Sequence, residues 1–226
     1  PQLHTMGGLS LEEVMDAVVE EVKQSPMPIK LIICSLRHED GEMAGRLADL
    51  ALAYNDHVGG FDLAADEEAN PGVLEWWIPE AIRVRDESNG TIELTIHLTE
   101  TRKPTARDES LIDQYGIRRI GHGIKGNWSQ VREVCPTSNV VTGQVASIAD
   151  HPIDSFHRAG DPVTVNTDGT LFTEVQLSDE YMKLQAVFGW SEADFLQVNL
   201  TALEVSSFSS ADKAKMKALL KASYLS

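Results

Sequence analysis

Short apolar runs rich in β-branched residues alternate along this chain with longer segments of helical period, and that alternation restricts the fold more than any other feature. Strand-sized runs stand at 29–36, 58–63, 91–97, 117–120, 133–135 and 163–166, and helix-sized segments at 10–24, 41–54, 74–86, 107–115, 148–159, 178–188 and 191–207. A chain that returns to a strand after each helix pairs its strands in parallel, because parallel neighbours need a crossover between them. The expectation is α/β: one domain over residues 1–226 with a mainly parallel sheet. Ser10 with Glu13 forms a capping box at the first helix, and Ser178 is a second expected N-cap.

With 226 residues, 42% of them hydrophobic, the chain can bury a substantial core. A formal charge of −16 opposes nucleic acid and anionic membrane surfaces, to which lysine and arginine supply the attraction, and is compatible with a small neutral ligand. No apolar run approaches the ~20 residues of a membrane span and no charged-then-apolar leader is present, so a cytoplasmic location is expected. Cys34 and Cys135 form no CxxC pair, which argues against a disulfide framework or a thiolate zinc site and for reduced, buried thiols. Lys213, Lys215, Lys217 and Lys221 read as a solvated helix face.

The polar residues fall in one kind of place. His97 with Glu100, His122, Ser138 with Asn139, and Asp168 each stand at or just past the C-terminal end of an expected strand. In parallel α/β architectures that rim carries the chemistry. Neutral imidazole is a good zinc ligand, and a carboxylate one turn later can move protons for an activated water. Taken alone, a histidine followed by an acid at a strand end is common, and a buried structural carboxylate is the alternative for Asp168. The case rests on three strands aiming such groups at one end, with glycines beside His122 that allow a close approach to the backbone.

The order Asp62-Leu63-Ala64-Ala65-Asp66-Glu67, His97-Leu98-Thr99-Glu100, Arg119-Ile120-Gly121-His122-Gly123, Cys135-Pro136-Thr137-Ser138-Asn139 and Asn166-Thr167-Asp168 resembles the adenosine deaminases. The resemblance implies a (β/α)₈ TIM barrel, here N-terminally incomplete, with about six of eight strands present. It implies His97 and Asp168 as zinc ligands, with Asp168 also a base, Glu100 as the proton shuttle to purine and water, and His122 steadying the attacking hydroxide. Ala65 and Gly169 take the substrate-binding positions, Zn²⁺ is the cofactor, and the substrate is a purine nucleoside. The implied reaction is hydrolytic deamination of adenosine, or deoxyadenosine, to inosine and ammonia.

Several residues depart from that pattern. No His-x-His pair precedes His97, since His4, His38 and His57 are isolated, and His97 with Asp168 alone should hold metal poorly. His4 and His38 read as surface or loop residues, His151 and His157 as members of a helical segment. Leu98, Thr99 and Ala65 replace smaller family residues, so Thr99 and Ala65 are expected to crowd the base, and Gly169 replaces an Asp or Asn that recognises the ring. The stretch 124–134 is short for a strand–helix–strand connection, and local rearrangement is expected there. A barrel two strands short leaves open edges, so the isolated chain is expected to be marginal. It then reads as a fragment, a truncated relative kept for binding without a metal site, or a chain whose barrel a partner completes. Gly121-x-Gly123-x-x-Gly126 formally matches a dinucleotide-binding turn, but His122 sits inside the turn and no acid ends a second strand about 20 residues on.

Overall fold

Every expected strand run forms a strand in the computed structural model, which describes residues 1–70 and 72–224. Two compact units result, Pro1–Thr95 and Ile96–Ser226. The first contains α1 (Leu11–Gln24), β1 (Leu31–Leu36), α2 (Gly41–Ala53), β2 (Val58–Ala64), α3 (Val73–Glu87) and the first half of β3 (Glu93–Leu98). Helix α1 starts where the sequence says it should: Ser10 accepts from the Glu13 amide and Glu13 reaches back to the Ser10 amide. Its Leu11, Val14, Met15 and Val19 are buried at helical spacing, which turns one face of the helix to the core. Strands β1 and β2 pair in parallel, as do β2 and β3. Trp77 of α3 is buried, stacks on Phe61 of β2 with 6.2 Å between ring centroids, and donates its indole N–H to the Asp62 carbonyl. It is a packing residue.

The second unit holds the end of β3, α4 (Ala106–Tyr115), β4 (Arg119–His122), β5 (Val131–Val134), α5 (Pro136–Val141), α6 (Ile153–Ala159), β6 (Val163–Val165), α7 (Thr170–Thr173), α8 (Leu177–Phe188), α9 (Glu192–Val205) and α10 (Ser210–Tyr224). Parallel pairing continues from β4 to β5 to β6, and strand order follows chain order. The apolar core gathers Val134, Ile153, Val163, Leu184, Trp190 and Phe195. No helix among the described residues is long and apolar enough to cross a membrane.

Several details differ from the sequence reading, among them β5, which runs Val131–Val134 where 133–135 was expected. Strand β4 covers Arg119–His122, two residues later than expected, so His122 lies inside the strand. The α8 N-cap is Gln176, boxed with Asp179, and Ser178 lies within the helix. Cys34 is half-buried where a buried thiol was expected. The expected helix 148–159 is broken: a 3-10 turn over Ile148–Asp150 precedes α6, with His151 extended at φ −74° and ψ 132° between them. Pro152 is the cause, since the ring of a proline crowds the helical conformation of the residue before it.

The rearrangement expected after β4 takes the form of a connection with no helix. Residues 123–130 alone return the chain from the end of β4 to the start of β5. Their extended reach of about 27 Å suffices to run back along a strand of about 13 Å. Trp128 fills the space, buried, with its indole N–H donated to Thr99 Oγ1 at 2.9 Å. Gly126 lies directly under that ring, where a Cβ would stand 2.2 Å from Trp128 Nε1. Gly126→Ala is therefore expected to destabilise the chain by about 1–3 kcal/mol, read as a lowered urea midpoint at constant m; an unchanged midpoint would refute this packing.

Helix α4 is anchored by one carboxylate. Asp108 is buried, receives Arg102 Nη1 at 2.7 Å and Nη2 at 3.1 Å, and caps Thr105 through its amide and hydroxyl. Burial alone would raise its pKa, but the hydrogen bonds from Arg102 and Thr105 override that and hold it below the ordinary carboxylate range. A folded pKa below the unfolded one adds stability above the unfolded value, about 3.9, that is lost as pH falls through the folded value. Asp108→Asn should cost about 2 kcal/mol near neutral pH. The gap between the two proteins should narrow in denaturant titrations below about pH 4.

Candidate active site

Three strands of the second unit end in the left-handed region of backbone space. Thr99 after β3 has φ 56°, His122 at the end of β4 has φ 59°, and Asp168 beyond β6 has φ 59°. A β-branched residue there costs about 1–3 kcal/mol and persists only where its surroundings hold it. Thr99 is held on two sides, its hydroxyl accepting from Trp128 at 2.9 Å and its carbonyl from the Lys125 amide at 2.8 Å. The strain turns the chain sharply as each strand ends, which presents side chains at the rim. Thr99 itself, expected to crowd a substrate, is fully buried with its hydroxyl on Trp128.

His97 projects from β3 onto the backbone of β4. Its ring rests on Gly121, where a Cβ would stand 2.8 Å from Cγ, 2.9 Å from Nδ1 and 3.0 Å from Cδ2. Only glycine leaves room for the imidazole in that position. The His122 ring lies edge-on to it, 5.3 Å between centroids at 63°. His122 Nε2 stands 3.5 Å from Glu100 Oε2 and 4.0 Å from Asp168 Oδ2, so the four residues singled out from the sequence converge. His97, His122, Cys135, Asn166 and Asp168 are among the residues lining a cavity of about 190 Å³. A larger depression of about 370 Å³ elsewhere in this unit is lined by residues such as Ile112, Gly116, Ile117 and Val205 and has no histidine, cysteine or glutamate.

Ser138 and Asn139, expected at the rim but given no role there, acquire partners in the structure. Ser138 Oγ donates to Asp168 Oδ2 at 2.7 Å and so orients the carboxylate. Asn139, fully buried in α5, reaches His122 Nδ1 at 3.1 Å and Glu100 Oε1 at 3.4 Å. Helix α5 was not expected, although Pro136 at its first position is a start signal that could have disclosed it. His151 does not belong to a helix as expected: it is buried, with Nε2 3.2 Å from Asn139 Oδ1. His157 does lie in α6, paired with Asp194 at 2.8 Å. His4 and His38 are exposed.

Cys135 was read as an inert thiol with no ligand spacing, yet its sulfur, a His122 nitrogen and an Asp168 oxygen all lie within 4.8 Å of one another. Pairwise spacing along the chain cannot register a group assembled from three elements. Burial, then the nearby Asp168 charge, pushes the Cys135 thiol well above its ordinary pKa, so it stays protonated unless a cation joins it. Ala65 stands in the first unit, exposed just past β2 with φ 75°. Gly169 precedes α7, and a Cβ there would lie 3.2 Å from Phe172 Cδ2.

Parallel strands with helices between them, and imidazoles, carboxylates and a hydroxyl collected at the strand ends, define the chain as an α/β protein of the (β/α)₈-barrel class with six strands among its described residues. The family model for adenosine deaminase matches residues 1–222, and the chain belongs to the adenosine deaminase family. The adenosine deaminase of Mycobacterium marinum is 30% identical over 236 residues, covering 90% of this chain and 63% of its own length. The chain thus spans a little under two thirds of that relative. An adenine deaminase from Arthrobacter aurescens has the same fold, with a TM-score of 0.84 at 23% identity over 100% of this chain and 72% of its own. A Burkholderia ambifaria amidohydrolase with bound Zn superposes with a TM-score of 0.80 at 20% identity, over 96% and 64% of the two chains.

Proposed function

We propose that this chain carries the catalytic rim of a zinc-dependent deaminase that hydrolyses adenosine, or deoxyadenosine, to inosine and ammonia in the cytoplasm. The observation that carries the reading is the convergence of His97, Glu100, His122 and Asp168, with three of them lining one cavity. In this reading residues 1–226 act as one barrel domain, and a further segment or partner chain supplies the remaining strands.

The donors fit zinc in kind, since imidazole and carboxylate are its common protein ligands, and Gly121 leaves the room that the His97 ring occupies. His97 and Asp168 would hold the ion. When bound, it supplies the Lewis acidity that makes water a nucleophile near neutral pH. His122 Nε2 holds the attacking oxygen by a hydrogen bond. Asp168 takes the proton that this oxygen loses, and Glu100 delivers a proton to the purine ring as the oxygen adds to C6. Proton transfer to the departing amino group then releases ammonia and leaves inosine. Ala65 and Gly169 are the residues that the family resemblance assigns to the purine, and neither contributes a hydrogen-bonding side chain. Adenine and adenosine monophosphate are the substrates to compare.

A second reading, a binding protein without turnover, draws on the donor count. His97 and Asp168 are two ligands, and no His-x-His pair stands in this sequence. Zinc content and adenosine-to-inosine conversion, measured together, separate the two. Retained zinc with inosine release supports the deaminase. A folded protein that binds adenosine but holds no zinc and releases no ammonia supports the second reading.

A further inference from the structure

The buried network behind His122 determines which of its ring nitrogens carries the proton. It begins at a group with only one role available: the backbone N–H of Ile153 can only donate, and it points at His151 Nδ1, 3.1 Å away. His151 Nδ1 is therefore the acceptor nitrogen, and in the neutral ring the proton sits on Nε2. Burial first, and His122 second, push the His151 pKa down to about 4, so the ring is neutral at pH 7. Its Nε2–H then donates to Asn139 Oδ1 at 3.2 Å.

That bond orients the Asn139 carboxamide. With Oδ1 toward His151, the amide nitrogen faces His122 Nδ1 at 3.1 Å and Glu100 Oε1 at 3.4 Å. The reverse orientation would set the amide oxygen against the Glu100 carboxylate and the NH₂ against the His151 N–H, so both sides enforce one choice. The Asn139 backbone has little freedom, because its N–H donates to the Cys135 carbonyl at 2.9 Å and its carbonyl accepts from Gln144 at 2.8 Å and Val145 at 3.1 Å. An amide N–H only donates, so His122 Nδ1 is an acceptor and the His122 proton lies on Nε2. That nitrogen is the one facing Glu100 and Asp168.

We propose that His151 is a positioning residue which, through Asn139, holds His122 as its Nε2–H tautomer, so that His122 enters the cavity as a hydrogen-bond donor and not as a base. The catalytic meaning rests on the deaminase reading above; the tautomer does not. Pro152 takes part, because it keeps His151 out of a helix and leaves it extended beside α6.

The test is long-range ¹H–¹⁵N NMR on protein labelled with ¹⁵N-histidine. In the wild type, His122 Nδ1 should resonate as an unprotonated ring nitrogen and Nε2 as a protonated one. His151→Phe removes the donor, frees the carboxamide to rotate, and should move the two His122 nitrogens toward a common averaged shift. His151→Gln restores an N–H for Asn139 and should return the wild-type pattern. Asn139→Asp sets an acceptor against Nδ1 and should invert the assignment. Wherever turnover is measurable, His151→Phe should lower kcat by about 10- to 100-fold with little change in KM. Protonation of His122 at Nδ1 in the wild type, or shifts unmoved by His151→Phe in a well-dispersed spectrum, would overturn the proposal. If His151→Phe does not fold, the wild-type assignment and Asn139→Asp decide the matter. Absence of inosine formation beside the expected tautomer would count against the deaminase reading alone, and turnover with the opposite tautomer against this proposal alone.

Discussion

Glu100→Gln is expected to lower kcat for deamination by about 10²- to 10⁴-fold while leaving the protein folded. Glu100 is only partly buried, and among its polar contacts three are long: 3.4 Å to Asn139 Nδ2, 3.4 Å to Thr142 Oγ1 and 3.5 Å to His122 Nε2. Glutamine has the same shape and keeps an oxygen to accept from Asn139 and Thr142. In the deaminase reading, what it lacks is a carboxyl group that can give a proton to the purine and recover one from water. The substitution thus removes the chemistry and spares the packing. Inosine formation with Tm measured alongside would check it, and a variant within threefold of the wild-type rate would remove Glu100 from the mechanism.

Gly121→Ala should have the second-largest effect, through metal affinity. The new methyl would sit 2.8 Å from His97 Cγ, well inside contact distance, and Cγ is too near the backbone to swing away. Strand β4 has little room to yield, since Gly121 pairs with Glu133 in the β4–β5 register. The imidazole must therefore shift, and misplaced ligand geometry typically costs about 10- to 100-fold in affinity. A competition titration with a zinc chelator would show the loss, together with a Tm lower by several degrees from overpacking. Gly45→Ala is the contrast: in α2 a Cβ would find nothing closer than 3.9 Å, so that change should be neutral or slightly stabilising. Wild-type zinc affinity in Gly121→Ala would mean that His97 is not a ligand.

What could be read along the chain was what local chemistry encodes. The β-branched runs became six strands because their apolar residues can be buried only in a sheet covered by helices. The Ser10–Glu13 capping box started α1 at its expected residue, since its partners lie three positions apart. His97, His122 and Asp168 were legible as rim residues because parallel strands all point their C-terminal ends one way. Boundaries failed where a neighbour outvoted the local signal: Ile117 and Ile120 suggested a strand centred between them, whereas pairing of Arg119 with Val131 moved β4 toward His122.

The sequence by itself determined the layer architecture, the direction of the strands and the identity of the rim groups, because each depends on periodicity or on contacts a few residues apart. Only the tertiary structure decided how those groups are served. Ser138 meets Asp168 across 30 positions, Asn139 meets Glu100 across 39, and Cys135 joins His122 and Asp168 from a third element. His151 illustrates the boundary between the two. The sequence reading placed it in a helix although its neighbour Pro152 takes it off the helical path, and the direction in which the freed ring turned was settled by Asn139, a buried amide that needed a donor.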